Sequence, residues 1–121
     1  MKVVDAGVIV ELLVGGLDPG RLGEEDLAVV HLIDSEVTNV VQRGDLSGRQ
    51  GGAAMRGFLT LALSRYPAQP LRSRMWQLRH ILSGYDATYV ALAEGLAASS
   101  LMTTDARMAT APGIGVPVEV L

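Results

Sequence analysis

The chain has 121 residues, 49% of them hydrophobic and 4% aromatic, so a single domain over residues 1–121 is expected, with a core of Val, Leu, Ala and Met. It contains no cysteine, which excludes disulfides and thiolate zinc sites and suits a cytoplasmic protein, and no apolar run reaches the roughly 18 residues of a membrane span. The net charge of −3 disfavours a protein that binds nucleic acid by charge alone.

The first half of the chain alternates short apolar runs with amphipathic segments. A buried strand is expected to end near Asp5, and a helix is expected to follow it through about Leu13. Residues 27–32 (LAVVHL) form a near-continuous apolar run, which is typical of a parallel strand covered on both faces. Residues 33–44 then predict a second helix.

The second half continues this alternation. The interval 46–66 predicts a longer helix in spite of its glycines, and 85–100 predicts the clearest helix of the chain, with Asp86 as its cap. The other expected elements are a short strand or extended connection at 67–71, a helix at 72–84, strands at 101–105 and 116–121, and a helical turn at 106–111. Strands that alternate with helices predict right-handed β-α-β crossovers and a central parallel sheet, which defines an α/β fold.

Four acidic residues stand where an expected strand ends or an expected helix begins. They are Asp5, Glu36, Asp86 and Asp105. Each alone can cap a helix or complement its macrodipole, which is worth about 0.3–2 kcal/mol. Because the strands of a parallel sheet all end at one edge, where ligands bind, the four acids are expected to converge there. Converging carboxylates repel one another unless a cation lies between them, and oxygen ligands without cysteine favour Mg2+ or Mn2+.

Four successive motifs resemble those of the PIN-domain ribonucleases, in particular the bacterial VapC toxins. They are VVDAGVIVELL, DSEVTNVV, YDATYVALAE and LMTTDARMA. The resemblance covers essentially the whole chain in the right order, and the last two motifs are its most specific part. It implies a three-layer α/β/α PIN-like domain with a central, mainly parallel sheet of four to five short strands.

The resemblance also implies roles for individual residues. Matched by position, the acidic cluster that holds Mg2+ or Mn2+ and cuts RNA is Asp5, Glu36, Asp86 and Asp105. Thr103 matches a polar position that helps to shape the site. Gly7 is a departure, because many relatives carry Ser or Thr two residues after the first Asp. A hydroxyl at that position orients the first carboxylate or a bound water, and its absence leaves every proposed ligand in place.

The function implied by the resemblance is that of a Mg2+-dependent endoribonuclease, with Mn2+ as a substitute, that hydrolyses RNA phosphodiester bonds. The partner it implies is a cognate VapB-type antitoxin, in a homodimer or a hetero-oligomer with that antitoxin. The alternative is a PIN-like module that has lost catalysis and binds RNA or protein, and Gly7 alone points to it. A phosphatase or phospho-acceptor domain is disfavoured, because no second Asp stands two positions after Asp5.

Other residues leave two interpretations open. Seven of the nine arginines lie between Arg43 and Arg79, where they either form solvated helix faces or offset the repulsion between the acids and RNA. Trp76 either stacks on a base or packs in the core, and Tyr89 either lines the cleft or fills it. Asp34 is interpreted as the cap of its helix, because a residue two positions from a proposed ligand does not share its helix face.

Overall fold

Five short strands and six helices alternate along residues 1–44 and 46–121, which a computed structural model describes. The strands are Lys2–Val4 (β1), Leu27–Val30 (β2), Leu63–Tyr66 (β3), Ser100–Thr103 (β4) and Val118–Val120 (β5). The helices are Ala6–Leu13 (α1), Ile33–Arg43 (α2), Gly48–Thr60 (α3), Arg72–Gln77 (α4), Gly84–Gly95 (α5) and Ala106–Thr110 (α6). Among these described helices, none has both the length and the apolar character needed to cross a membrane.

All five strands are parallel and lie in the order β3-β2-β1-β4-β5. Right-handed crossovers place α1, α2 and α3 on one face of this sheet and α4, α5 and α6 on the other. The helix contacts agree, because α1, α2 and α3 pack on one another while α4 packs on α5. The predicted α/β/α architecture with a central parallel sheet is therefore confirmed.

The central strands are covered on both faces. The side chains of Val3, Val4, Val29, Leu101 and Met102 are fully buried, so successive residues of one strand pack on opposite helical layers. Burying a side chain of this size contributes roughly 1.5–3 kcal/mol. The residues that immediately follow β1 and β4 are therefore held by rigid, buried backbone.

The direction of strand order reverses at β1. From β1 the chain proceeds outward to β2 and β3, and it then crosses the sheet to add β4 and β5 on the other side. In such sheets the cleft for a ligand lies outside the carboxyl ends of the strands at the point of reversal. Asp5 directly follows β1, and Asp105 lies two residues beyond the end of β4. The fold thus brings two of the predicted acids to this point.

The prediction of one helix over residues 46–66 is wrong in its last part. Helix α3 ends at Thr60, and Leu63–Tyr66 is an edge strand paired with β2. Backbone pairing with a neighbouring strand outweighs local helix propensity here. The expected element at 67–71 is a turn of 3-10 helix at Gln69–Leu71, and the helix expected at 72–84 ends at Gln77.

Two predicted helix caps are also wrong. Ser83 caps α5, because its side chain accepts the backbone N–H of Asp86, so the Asp86 carboxylate is not used as the cap. Helix α2 has no side-chain cap, and Asp34 instead forms a two-bond ion pair with Arg65 on β3, at 2.8 and 2.9 Å. The Asp34 carboxylate is therefore bound to the edge strand β3 and does not belong to the acidic cluster.

One partly buried ion pair ties α4, α5 and the loop before β5 together. Glu94 accepts hydrogen bonds from Arg74 Nε at 2.7 Å, from Arg74 Nη2 at 3.0 Å and from the backbone N–H of Gly115 at 2.7 Å. Arg74 also donates to the carbonyl of Gly113 at 2.7 Å. The hydrogen bond from Arg74 is the largest influence on the pKa of Glu94 and lowers it.

Glu94→Gln is expected to lower the free energy of unfolding at neutral pH by about 1–2 kcal/mol, because the partly exposed guanidinium of Arg74 loses its charged partner. Since the folded state lowers the pKa of Glu94, this stabilisation is present above the unfolded pKa and is lost as the pH falls through the folded pKa. In urea denaturation, the difference in free energy of unfolding between wild type and variant should therefore become smaller below pH ~4.5. Glu119→Gln is the control, because Glu119 contacts Lys2 at a longer distance, 3.3 Å, and is itself more exposed than Glu94. Equal losses in the two variants would contradict the prediction.

Candidate active site

Asp5 caps α1 and at the same time presents a carboxylate at the end of β1. Its Oδ1 accepts the backbone N–H of Val8 at 3.0 Å, while its Oδ2 accepts the hydroxyl of Thr103. The residue is 7% exposed. Burial raises the pKa of Asp5, the two hydrogen bonds lower it, and the charges of Asp86 and Asp105 raise it further. Capping and function are thus compatible at this residue.

Thr103 links the ends of the two strands that meet at the point of reversal. It is the last residue of β4 and is fully buried. Its hydroxyl donates to Asp5 and accepts the backbone N–H of Asp105 at 3.0 Å. A single hydroxyl therefore fixes the orientation of one proposed acid and the backbone position of another.

Glu36 and Tyr89 form a second, partly buried contact of the site. Glu36 lies in the first turn of α2, and its Oε1 accepts the hydroxyl of Tyr89 on α5 at 2.7 Å. Burial raises the pKa of Glu36, the Tyr89 hydroxyl lowers it, and the charges of Asp5 and Asp86 raise it. The pKa of Tyr89 is strongly raised, first by burial and then by its bond to Glu36, so Tyr89 stays a donor. Tyr89, 2% exposed, fills the site from below and positions Glu36.

Asp86 and Asp105 form the other side of the site. Burial raises the pKa of Asp86, and the charge of Asp105 raises it as well. Asp105 caps α6 and accepts Arg107 Nε at 3.1 Å and Arg107 Nη2 at 2.9 Å, which lowers the pKa of Asp105. The side chain of Arg107 is 90% exposed. Arg107 was not predicted as a site residue, because nothing in the sequence DAR at residues 105–107 specifies the rotamer that brings the guanidinium back to the carboxylate.

The four predicted acids converge at one edge of the sheet, close enough to influence one another electrostatically. Asp5 interacts with Asp86 and Asp105, Glu36 interacts with Asp5 and Asp86, and Asp86 interacts with Asp105. Within residues 1–44 and 46–121, however, no three Asp, Glu or His side chains lie near enough together to hold a metal ion. The carboxylates are directed instead to Thr103, Tyr89 and Arg107.

The space beside Gly7 contains a hydroxyl from another part of the chain. A Cβ placed on Gly7 would collide with the Thr104 hydroxyl and would lie 3.4 Å from Asp5 Oδ1. Thr104 thus occupies the position that a side chain at residue 7 would take. Thr104 was not predicted as a site residue, and the pair of threonines before Asp105 is the only sequence signal for it. A side chain at residue 7 would therefore require Thr104 to move.

Two clefts flank the acids. A cleft of about 340 Å³ includes Glu36 and runs along α2, and a cleft of about 460 Å³ includes Asp86, Asp105 and Arg107. The acids therefore lie between two surface depressions, and a linear substrate could enter both. This arrangement fits an extended chain better than a small molecule enclosed in one pocket.

The remaining candidates lie away from the acids. The indole of Trp76 is 68% exposed with the guanidinium carbon of Arg79 4.4 Å from its ring centroid, so the interpretation of Trp76 as a core residue is wrong. Two of the seven arginines between Arg43 and Arg79 form ion pairs. Arg65 pairs with Asp34, and Arg74 pairs with Glu94. These two arginines therefore stabilise contacts within the fold.

A parallel α/β/α sandwich whose strand ends gather four acids at the point of strand reversal defines a PIN-like domain. No protein-family model matches the chain. Ribonuclease VapC9 of Mycobacterium tuberculosis is 38% identical, over 100% of this chain and 98% of that protein. Ribonuclease VapC1 of the same organism is 40% identical, over 93% of this chain and 91% of that protein. The chain belongs to the VapC ribonuclease family.

Solved structures support the same fold. The structure of VapBC2 from Rickettsia felis, bound to a DNA fragment from their promoter, superposes with a TM-score of 0.68. It covers 98% of this chain and 97% of the other chain at 16% sequence identity. At that identity the likeness concerns the fold alone, and the family assignment depends on the sequence relatives.

Proposed function

We propose that this chain is a Mg2+-dependent endoribonuclease, with Mn2+ as a possible substitute, and the toxin of a VapBC-type pair. The observation that carries the proposal is the convergence of four acids at the carboxyl edge of the sheet, three of them with a raised pKa. Relatives at 33–40% identity that bear the name ribonuclease support it. The proposed catalytic and metal-binding residues are Asp5, Glu36, Asp86 and Asp105.

The donor set fits a hard divalent cation. The site offers carboxylate oxygens, and Mg2+ is usually held by one or two carboxylates together with water and substrate phosphate, so a close group of three acids is not required. Mutual repulsion and burial raise the pKa of Asp5 and of Asp86, and a cation would relieve both effects. When bound, such a cation lowers the pKa of water and neutralises negative charge on a phosphate.

The other residues of the site position the acids and the substrate. Thr103 fixes the orientation of Asp5, and Tyr89 fixes that of Glu36 by donating its hydroxyl hydrogen. Arg107 holds Asp105 from the solvent side. Because its side chain is so exposed, Arg107 can exchange Asp105 for a phosphate oxygen of RNA when the cation binds.

We also propose a VapB-type antitoxin as the protein partner, in a homodimer or hetero-oligomer. Support comes from the VapBC2 neighbour.

The alternative function is a PIN-like module without catalysis that binds RNA or protein. The ion pair between Asp105 and Arg107 favours this alternative, because a guanidinium can take the place of a metal ion as the partner of a carboxylate. Gly7 points the same way, because glycine offers no hydroxyl to orient Asp5. The two functions differ in whether the acids bind a divalent ion.

Titration calorimetry with Mn2+ distinguishes the two functions. Wild type is expected to bind Mn2+ saturably in the millimolar range or tighter, and Asp5→Asn and Asp86→Asn are each expected to lose that binding, because both acids contribute to one site. The control is Asp26→Asn. Asp26 is an exposed acid just before β2, so it lies at the amino ends of the strands, whereas the four acids lie at the carboxyl ends. Absence of binding by wild type, or equal binding by all variants, would leave the non-catalytic module as the better description.

A further inference from the structure

The cleft of about 340 Å³ beside Glu36 has a lining that suits a nucleotide. One wall is a stripe of α2 that carries Glu36, Asn39 and Arg43, and the opposite wall includes Tyr85 from the first turn of α5. The cleft therefore combines a carboxylate, an amide, a guanidinium and an aromatic ring. Since Glu36 belongs both to the cleft and to the acidic cluster, the cleft continues directly into the proposed site of cleavage.

The ring of Tyr85 is exposed in a way that the core does not explain. Tyr85 is 62% exposed, although Tyr89, one helical turn further along α5, is 2% exposed. Leu32, which is 39% exposed, lies on the α2 side of the same cleft. An exposed aromatic ring at the rim of a polar cleft is a typical platform for stacking a nucleic-acid base.

The polar side chains along the cleft are arranged as an RNA strand leading away from the acids would require. Glu36, Asn39 and Arg43 are spaced by three and four residues, so they lie on one face of α2. Glu36 and Arg43 are seven positions apart, which is about 10 Å along the helix axis. The guanidinium of Arg43 thus lies at the end of the cleft far from Glu36, where a flanking phosphate would be. The amide of Asn39 lies between Glu36 and Arg43, within reach of a base edge.

A neighbouring cavity provides a contrast. It measures about 300 Å³, shares Leu32 and Tyr85 with the cleft, and is lined mainly by apolar residues that include Val30, Ala68 and Met75. An apolar segment of a protein partner would fit that cavity. The cleft beside Glu36, with its amide and guanidinium, matches a nucleotide.

We infer that this cleft is a subsite for one nucleotide of single-stranded RNA next to the cleaved bond. In it Tyr85 stacks on the base, Asn39 faces the base edge and Arg43 contacts a phosphate. The inference rests on the proposed function for the position of the cleaved bond, and it adds the preference for a single strand. A stacked base in this cleft must be unpaired, because the ring of Tyr85 takes the place of a neighbouring base.

The test measures binding without cleavage. Fluorescein-labelled oligoadenylate and oligouridylate of about eight nucleotides are titrated with protein in EDTA, and fluorescence anisotropy gives the dissociation constants. Tyr85→Phe should bind like wild type, and Tyr85→Leu should bind about fivefold to a hundredfold more weakly, because leucine keeps the apolar volume without the ring. Leu59→Ala is the control, since Leu59 is 82% exposed and lies outside the cleft.

The salt dependence tests Arg43 separately. Arg43→Gln should reduce the slope of log K against log salt by about 0.7, the value for one phosphate contact on a single strand. Arg49→Gln, which changes an exposed arginine outside the cleft, should leave the slope unchanged. Oligonucleotide binding that is equal in wild type and Tyr85→Leu, or absent in wild type, overturns the subsite and leaves the cleft to a protein partner.

Failure of the nucleotide subsite and failure of the proposed function give different results in these experiments. Binding in EDTA requires neither a divalent ion nor cleavage, so it can succeed even if the Mn2+ titration fails. Conversely, a protein that binds Mn2+ through Asp5 and Asp86 but shows no effect of Tyr85→Leu retains its proposed function and loses only the subsite.

Discussion

Asp5→Asn is expected to lower RNA cleavage by about a hundredfold or more, because it removes the charge of the most buried of the four acids, which we propose as a metal ligand. Asparagine keeps the shape of the side chain and still accepts the backbone N–H of Val8, so α1 keeps its cap. The measurement counts new 5′-phosphate ends in total bacterial RNA incubated with Mg2+ and equal amounts of wild type or variant. Asp26→Asn serves as the matched control.

The same substitution should leave the thermal stability at neutral pH equal to that of wild type or higher. The folded state raises the pKa of Asp5, so the ionised carboxylate costs stability as the pH rises through that pKa. Asparagine lacks this cost. A variant that cuts RNA as well as wild type, or that loses activity only because its melting temperature falls sharply, would show that Asp5 is a structural cap.

The central strands were predictable because their physical signal is strong. β1, β2 and β4 are short apolar runs that are buried on both faces, and few other structures accommodate such runs in a small α/β domain. β3 was not predictable, because Leu63–Tyr66 is a partly exposed edge strand whose sequence continues the helical pattern of α3. Its strand conformation arises from pairing with β2, which no local pattern reports.

The positions of the four acids were predictable, and among their partners only Thr103 was assigned to the site, through the family resemblance. A parallel sheet fixes where strands end, so residues that follow strands must share an edge whatever their side chains do. The bond from Tyr89 to Glu36 joins residues 53 positions apart, and the Thr103 hydroxyl joins residues 98 positions apart. Such contacts depend on packing distances between elements and on rotamers, which spacing along the chain does not encode.

The caps show why a single residue type gives an ambiguous signal. Asp5 and Asp105 do cap their helices, while Asp86 and Glu36 do not. The interpretation of all four as caps is therefore half right, and it does not compete with a catalytic role. At Asp5 one carboxylate oxygen caps α1, and the other is held by Thr103 at the carboxyl edge of the sheet.

Thr103→Val is expected to lower RNA cleavage about tenfold to a hundredfold without removing any acid. Valine has nearly the shape of threonine but cannot donate to Asp5 or accept the N–H of Asp105, so both groups lose a partner. The unmet hydrogen bonds should cost about 1–3 kcal/mol of folding free energy. The bond from Thr103 is also the largest influence that lowers the pKa of Asp5, so that pKa should rise further in the variant.

The rise in pKa gives a result that mere destabilisation would not produce. Asp5 must be ionised to hold a cation, so the acidic limb of the pH–rate profile should move to higher pH in Thr103→Val. Thr103→Ser keeps the hydroxyl and should retain the wild-type profile, although the lost methyl group lowers stability. If Thr103→Val and Thr103→Ser lose stability and activity in parallel with the profile unmoved, Thr103 acts only through packing. A profile that moves in Thr103→Val alone assigns the hydroxyl to positioning Asp5.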